Sequence, residues 1–218
     1  MKDFDSLIFD LDGTLWDTCE ACAVAWNNVV NRNEIKFRQV TASDVRSVTG
    51  KPHAECIKTI FSSLSNEEIS ILIDETIIED TLVIKEMGGE LYEGVSEGLN
   101  ILNEYYDLFI VSNCQSGYIE NFLSQNKFEN LFKDYLCWGD TNEPKPLNTA
   151  AVIKKNNLQN PVFIGDMEGD YEAARVCELE FYQVTYGFGL PMEGCKTIES
   201  FPELVKKLNL DPKEIKYM

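Results

Sequence analysis

Two carboxylates two residues apart, Asp10 and Asp12, end the apolar run Leu7-Ile8-Phe9 and are followed at once by Gly13 and Thr14. In an extended chain residues of like parity face the same way, so both acids can address one cleft. Two ionised carboxylates held that close repel each other. Keeping both charged calls for a cation between or beside them, so this strand tip predicts a metal site. One carboxylate could attack as a nucleophile while its neighbour handles protons. Gly13 lets the backbone turn sharply, and the Thr14 hydroxyl suits an anionic ligand. A strand closing in an Asp-Gly turn has the same local composition without any chemistry.

Three later stretches carry polar groups at the ends of apolar runs. Ile110-Val111 leads into Ser112 and Asn113, a hydroxyl and an amide suited to phosphoryl oxygens, although Ser-Asn is also an ordinary turn pair. Lys145 sits between Pro144 and Pro146, which restrict the backbone on both sides and can hold one ammonium in place. There it would neutralise a phosphate; otherwise it is a solvated surface lysine. Asp166 and Asp170 follow Val162-Phe163-Ile164, four residues apart astride a strand-to-helix loop. Such oxygen ligands suit magnesium, and Asp170 would equally serve as a helix cap.

The elements that must position these residues alternate. Strands are expected near Asp107 to Ser112, Tyr135 to Trp138, Val162 to Gly165 and Phe181 to Val184, after the first one. Helices are expected near Val95 to Tyr105, Ser116 to Gln125, Leu147 to Asn156, Asp170 to Cys177 and Phe201 to Leu208. That alternation argues for an α/β fold with a parallel sheet covered on both faces. Between residues 18 and 88 strand signals are absent. Helices are expected instead over Cys19 to Arg32, Thr41 to Val48, Pro52 to Leu64 and Asn66 to Met87, the last with Ile69, Leu72, Ile73, Ile77 and Leu82 at helical spacing and a clear start at Ser65. Thr18 or Asp17 is positioned to cap the first of them. Gly88-Gly89 marks the return. Lys213 to Met218 can fray or dock.

A chain of 218 residues suffices for one sizeable domain with an insert. Its 37 acidic residues against 19 Lys and Arg give a net charge of −18, which repels nucleic-acid backbones. A small anionic substrate stays possible where a metal and lysines reverse the field locally. No apolar run has signal-peptide or membrane-spanning length, so no membrane partner is expected. Seven scattered cysteines point to a reduced, cytoplasmic setting. Cys19 and Cys22 form a C-x-x-C spacing but lack a second pair or a histidine to complete a zinc site.

Taken together and in order, Asp10-Leu11-Asp12-Gly13-Thr14, Ser112-Asn113, Lys145 and Asp166 to Asp170 resemble the four motifs of the haloacid dehalogenase superfamily in its phosphatase form, over nearly the whole chain. The resemblance implies a Rossmann-like core over residues 1–15 and 92–218, with an inserted all-helical cap over residues 16–91. It implies Asp10 as nucleophile, Asp12 as general acid and base, and Ser112 and Lys145 on the phosphoryl group. Magnesium would be bound by Asp10, the backbone carbonyl of Asp12 and Asp166, with Asp170 ligating or supporting it. The layout is similar to phosphoglycolate phosphatases and beta-phosphoglucomutases, which implies hydrolysis of a small phosphorylated metabolite. A phosphosugar mutase and a non-catalytic phosphate-binding module are the alternatives. The mutases carry a histidine in the first cap helix where this chain has Cys22. In the segment Val48 to Glu55, Lys51 and His53 are candidates to contact the leaving group, beside Thr14 and Asn113 as substrate-binding residues. Lys51 follows Gly50 directly and lacks the pattern of the Schiff-base lysine of phosphonoacetaldehyde hydrolases. Hinges are expected at Leu15 to Asp17 and Gly88 to Gly94, and the oligomer as a monomer or homodimer.

Overall fold

The computed structural model describes residues 4–208; the stretch Lys213 to Met218 lies outside the described residues. Strand β1 (Ser6–Phe9) is buried along its length and stops where Asp10 begins. The Leu11 carbonyl then gathers the amides of Thr14, Leu15 and Trp16, folding the chain back on itself before a two-residue strand, β2 (Trp16–Asp17). Helices α1 (Cys19–Arg32), α2 (Ala42–Arg46), α3 (His53–Ile60) and α4 (Asn66–Met87) follow with no strand between them. Their starts are legible. Ser65 and Glu68 form a reciprocal capping box on α4, and Thr41 and Asp44 do the same on α2. At α1 the Asp17 carboxylate accepts from the Cys19 amide at 2.9 Å, while the Thr18 hydroxyl is turned elsewhere.

Strand β3 (Glu90–Leu91) pairs antiparallel with β2, Trp16 opposite Leu91 and Asp17 opposite Glu90. The helical segment therefore leaves and re-enters through one short ribbon. Neither strand is predicted, because two residues carry no alternation. From there the order is α5 (Val95–Asn103), β4 (Asp107–Ser112), α6 (Tyr118–Asn126), β5 (Phe132–Cys137), α7 (Trp138–Thr141), α8 (Lys145–Asn156), β6 (Pro161–Gly165), α9 (Glu168–Val176), β7 (Glu180–Val184), β8 (Lys196–Ile198) and α10 (Phe201–Lys207).

Six strands form one sheet in the order β5-β4-β1-β6-β7-β8, every pair parallel. This is the Rossmann-like α/β architecture expected, with an all-helical insertion. Alternation along β1 divides its side chains between the faces. Ile8 packs with Phe109, Val111 and Phe163 under Val152, Ala173 and Ala174 of α8 and α9. Leu7 and Phe9 join the larger cluster on the other face, with Leu99, Leu102, Phe122 and Phe201. Burial on both faces explains why these strands read as continuous apolar runs.

Several boundaries differ from the sequence reading. Strand β5 begins three residues early, α8 begins at Lys145 rather than Leu147, and α3 stops at Ile60 rather than Leu64. One-turn α7 and three-residue β8 are too short to show a period. On α4, Ile77 and Leu82 face solvent, while Leu72, Thr76, Asp80, Val83 and Ile84 are buried. Apolar residues run around this helix, so periodicity alone does not select its inner face.

Candidate active site

The chain reverses direction across the sheet at β1, which pairs with β4 on one side and β6 on the other. A crevice opens beyond the carboxyl ends of strands at such a switch point. Phe9 lies opposite both Ile110 and Ile164, so Asp10, Ser112 and Asp166 reach the same level at that edge. The four stretches singled out in the sequence converge here.

Lys145 opens α8 just after Pro144 and is buried, which excludes the solvated alternative. Its Nζ donates to Asp10 Oδ1 at 2.7 Å and to Asp170 Oδ1 at 2.6 Å. Burial alone would lower this lysine, but the carboxylates of Asp10 and Asp170 hold it above its ordinary value. Asp170 Oδ2 accepts from the backbone amides of Asp166, at 3.1 Å, and Met167, at 2.9 Å. Both of its oxygens are thus engaged, and it ties the loop to the lysine. Asp166 is fixed through Oδ2 by the amides of Phe188 and Gly189, at 2.7 and 3.0 Å.

Its other oxygen, Asp166 Oδ1, is buried without a hydrogen-bond partner. Asp10, Asp166 and Asp170 each offer a carboxylate oxygen, and these oxygens lie within 4.8 Å of one another. Three buried acids against one ammonium leave excess negative charge. Burial, and after it the neighbouring Asp170, push Asp10 well above the usual carboxylate range and Asp166 up to about 7. A hard divalent cation suits this oxygen-only donor set. Gly13 has φ +83, and a Cβ there would run into the Asp166 carboxylate, so the turn after the first acids needs glycine.

Asp12 stands beside this cluster and is only partly buried. Loss of water around its carboxyl pushes it up to about 6, against the opposing effects of a hydrogen bond from Tyr118 and the charge of Lys145. The Tyr118 hydroxyl, on α6, donates to Asp12 Oδ1 at 2.6 Å and also touches the hydroxyl of Thr18, which precedes α1. Sequence reasoning missed Tyr118. Nothing local marks a tyrosine 106 positions away from its partner.

One cleft is lined from below by Asp10, Asp12, Ser112, Asn113, Tyr118 and Lys145, and from above by Trp26, Gly50, Lys51, His53 and Asp80. The sequence-predicted residues Lys51 and His53 therefore do reach it, Lys51 exposed and His53 mostly covered. Asn113 Nδ2 donates to the Gly50 carbonyl at 2.9 Å, joining the cap loop to the sheet edge. Thr14 lies behind the cleft, its hydroxyl buried without a partner and its carbonyl accepting from Tyr186 at 2.9 Å. Cys19 and Cys22 are buried free thiols, and burial raises both above the ordinary thiol range. Asp80 is a second residue that the sequence reading passed over. Its signal was a polar pair, Thr76 and Asp80, continuing the stripe from Leu72 to Ile84 at four-residue spacing.

Comparison with known proteins agrees with this geometry. A family model described as haloacid dehalogenase-like hydrolase matches residues 7–184. The phosphoglycolate phosphatase of Colwellia psychrerythraea is 29% identical over 203 residues, covering 86% of this chain and 87% of that protein. That of Aliivibrio fischeri is 25% identical over 218 residues, covering 94% and 92%. Among solved structures, a predicted phosphoglycolate phosphatase from Haemophilus somnus superposes with a TM-score of 0.83 at 21% identity, covering 95% of this chain and 99% of that one. At that identity the likeness establishes the fold.

Proposed function

The chain belongs to the haloacid dehalogenase-like hydrolases, in their phosphoglycolate-phosphatase-like group, and is a phosphatase-type enzyme; from that premise we propose that it hydrolyses a small organic phosphomonoester through an aspartyl phosphate on Asp10, with magnesium. Phosphoglycolate-type and sugar-phosphate-type esters are both within this reading. The observation that carries it is the Lys145 ammonium bridging Asp10 and Asp170 beside the unpartnered oxygen of Asp166. Asp10, the Asp12 backbone carbonyl and Asp166 would hold magnesium, with Asp170 supporting. When bound, the ion supplies positive charge to the transferring phosphoryl group.

Lys145 fixes one oxygen of Asp10, which leaves the other to attack phosphorus. The new bond joins Asp10 to phosphorus as the ester oxygen departs, and Asp12 gives that oxygen a proton. Asp12, now a carboxylate, takes a proton from water; the resulting hydroxide attacks phosphorus and frees both Asp10 and inorganic phosphate. A carboxyl pushed up to about 6 can both give and take a proton near neutral pH. Ser112 and Lys145 steady the phosphoryl oxygens, since this chemistry depends chiefly on positioning and charge. The helices over residues 16–91 act as a cap that excludes water, hinged at the β2–β3 ribbon. Seven unpaired cysteines support a reducing, cytoplasmic setting.

The test is phosphate release from a panel of small phosphomonoesters, with and without magnesium, for the wild-type chain and Asp10→Asn. Magnesium-dependent release, lost at least 10³-fold in the variant, is the expected result. Isomerised sugar phosphate without release would replace the hydrolase with the mutase. Phosphate bound but never released would leave a binding module.

A further inference from the structure

The roof of the cleft contains a buried acid for which the phosphoryl chemistry has no use. Asp80, on α4, lines the same cleft as Asp10 and is 2% exposed. Its Oδ2 accepts from the Trp26 indole at 3.3 Å and lies 3.5 Å from His53 Nδ1, while its Oδ1 is buried without a hydrogen-bond partner. The nearby Cys22 thiol is a weak donor and is already in contact with the Thr18 hydroxyl. An acid left half-satisfied in a protein interior is costly. A ligand that brings a donor into the cleft would complete it.

The surrounding bonds set what that ligand must offer. Thr76 donates its hydroxyl proton to the Leu72 carbonyl, so its oxygen can only accept from His53 Nε2 at 2.8 Å. That places the imidazole proton on Nε2 and leaves Nδ1 an acceptor facing Asp80 Oδ2. Burial agrees with this protonation, pushing Asp80 up to about 8 and His53 down to about 4. Facing the unprotonated Nδ1, the acid's proton sits on Oδ2, which leaves Oδ1 an acceptor; ionised, Asp80 offers an acceptor there as well. A hydroxyl or ammonium satisfies Oδ1; a carboxylate presents it with a second acceptor.

We infer that Asp80 is a specificity-determining residue of the cleft, selecting phosphomonoesters whose leaving group bears a hydrogen-bond-donating hydroxyl or ammonium over those that bear a carboxylate. The inference rests on the phosphatase reading for its reaction, but not for its recognition. The cleft's free volume of about 60 Å³, which the phosphoryl group must share, favours a short leaving group. Lys51 is the competing selector. It lies exposed on the same cleft and would favour a carboxylate.

The experiment compares kcat/KM for glycerol 3-phosphate, phosphoethanolamine, phosphoglycolate and ethyl phosphate in the wild-type chain, Asp80→Leu, Asp80→Asn and Lys51→Met. The wild type should favour glycerol 3-phosphate or phosphoethanolamine over phosphoglycolate by at least tenfold. Asp80→Leu should reduce the ratio of that ester to ethyl phosphate at least tenfold, and Asp80→Asn, which keeps an acceptor oxygen, should restore most of it for glycerol 3-phosphate. A wild-type preference for phosphoglycolate that vanishes in Lys51→Met overturns the inference. So does an Asp80→Leu chain that loses all four esters in equal proportion, which marks a structural role. Calorimetric binding of glycerol 3-phosphate and phosphoglycolate to Asp10→Asn, alone and combined with Asp80→Leu, separates the two readings. Selective binding that depends on Asp80, with no turnover of any of the four esters by the wild-type chain, defeats the phosphatase reading and sustains the subsite; unselective binding defeats the subsite.

Discussion

At the sheet edge Asp10 and Asp170 share one ammonium with Asp166 beside them, whereas under the cap Asp80 faces the His53 imidazole and a single indole N–H. The difference lies in the number of fixed donors. Asp166 receives two backbone amides, and Asp170 receives two amides and Lys145, so the local backbone is committed to carboxylates. Asp80 has no such support, and burial pushes it up to about 8. The first region concentrates acidic groups around one ammonium. The second avoids charge and leaves one acceptor for a neutral or cationic group. Burial raises carboxyls in both places, and the donors around them give that common push opposite meanings.

The largest expected effect comes from removing the ammonium. Lys145→Met should lower kcat/KM by at least 10³-fold and destabilise the fold by roughly 3–5 kcal/mol, because it leaves buried carboxylates without their cation. Asp10, already pushed up by burial, would then take up a proton, so the loss should deepen as pH rises. Urea unfolding at two pH values, together with phosphate release, checks both. A variant as stable as wild type at high pH would mean that the sheet edge does not depend on fixed charge, and the contrast with the cap would fail.

Much of the sheet-edge region was legible because its parts are local. Each polar group ends an apolar run, and parallel strands bring such ends to one level; Asp10, Ser112 and Asp166 needed only that rule. Lys145 was readable from its flanking prolines. The cap was legible only as helices. Ile77 and Leu82 share the helical spacing of Leu72 yet lie outside, since an all-round apolar helix gives no face to read. Asp80 and Tyr118 acquire their meaning from partners on other elements, Trp26 and His53 for one and Asp12 for the other. Such pairings are set by packing, and no spacing rule announces them.

A smaller effect sharpens the contrast by adding the missing cation. Magnesium at about 100 times its dissociation constant should stabilise the folded chain by roughly 2.7 kcal/mol. For a chain of this length that raises Tm by about 5–10 °C. Asp166→Asn should lose most of the shift, because the unpartnered oxygen is the one an added ion would meet. Asp80→Asn should keep it. Thermal unfolding of the three chains with and without magnesium gives the answer. An equal loss in both variants would mean that the cap acid belongs to the metal site and that the two regions are one.

The smallest effect concerns the proton under the cap. Asp80 is held up at about 8 in the folded chain, against about 3.9 when unfolded. Between those values the folded state holds a proton that the unfolded state lacks, so this group makes stability fall as pH rises toward 8 and has no further effect above it. His53 acts in the opposite sense. At about 4 folded and about 6.5 unfolded, it makes stability rise between those values. In the wild type the two slopes oppose each other below about pH 6.5, and the decline due to Asp80 stands uncovered from there to about 8. The groups facing Asp80 are Cys22 and Trp26 from α1, His53 from α3 and Thr76 on its own helix, with Asp12 and Glu79 acting from further away. Apart from the substituted group, all of them remain in Asp80→Asn. The stability of wild type relative to that variant should therefore drop by roughly 1–2 kcal/mol between pH 6.5 and 8. Urea unfolding of both chains across that range measures it. Parallel profiles would show that Asp80 is ionised under the cap like the acids at the sheet edge. The proton would then have no place between Asp80 and His53, and the distinction between the two regions would have to rest on geometry alone.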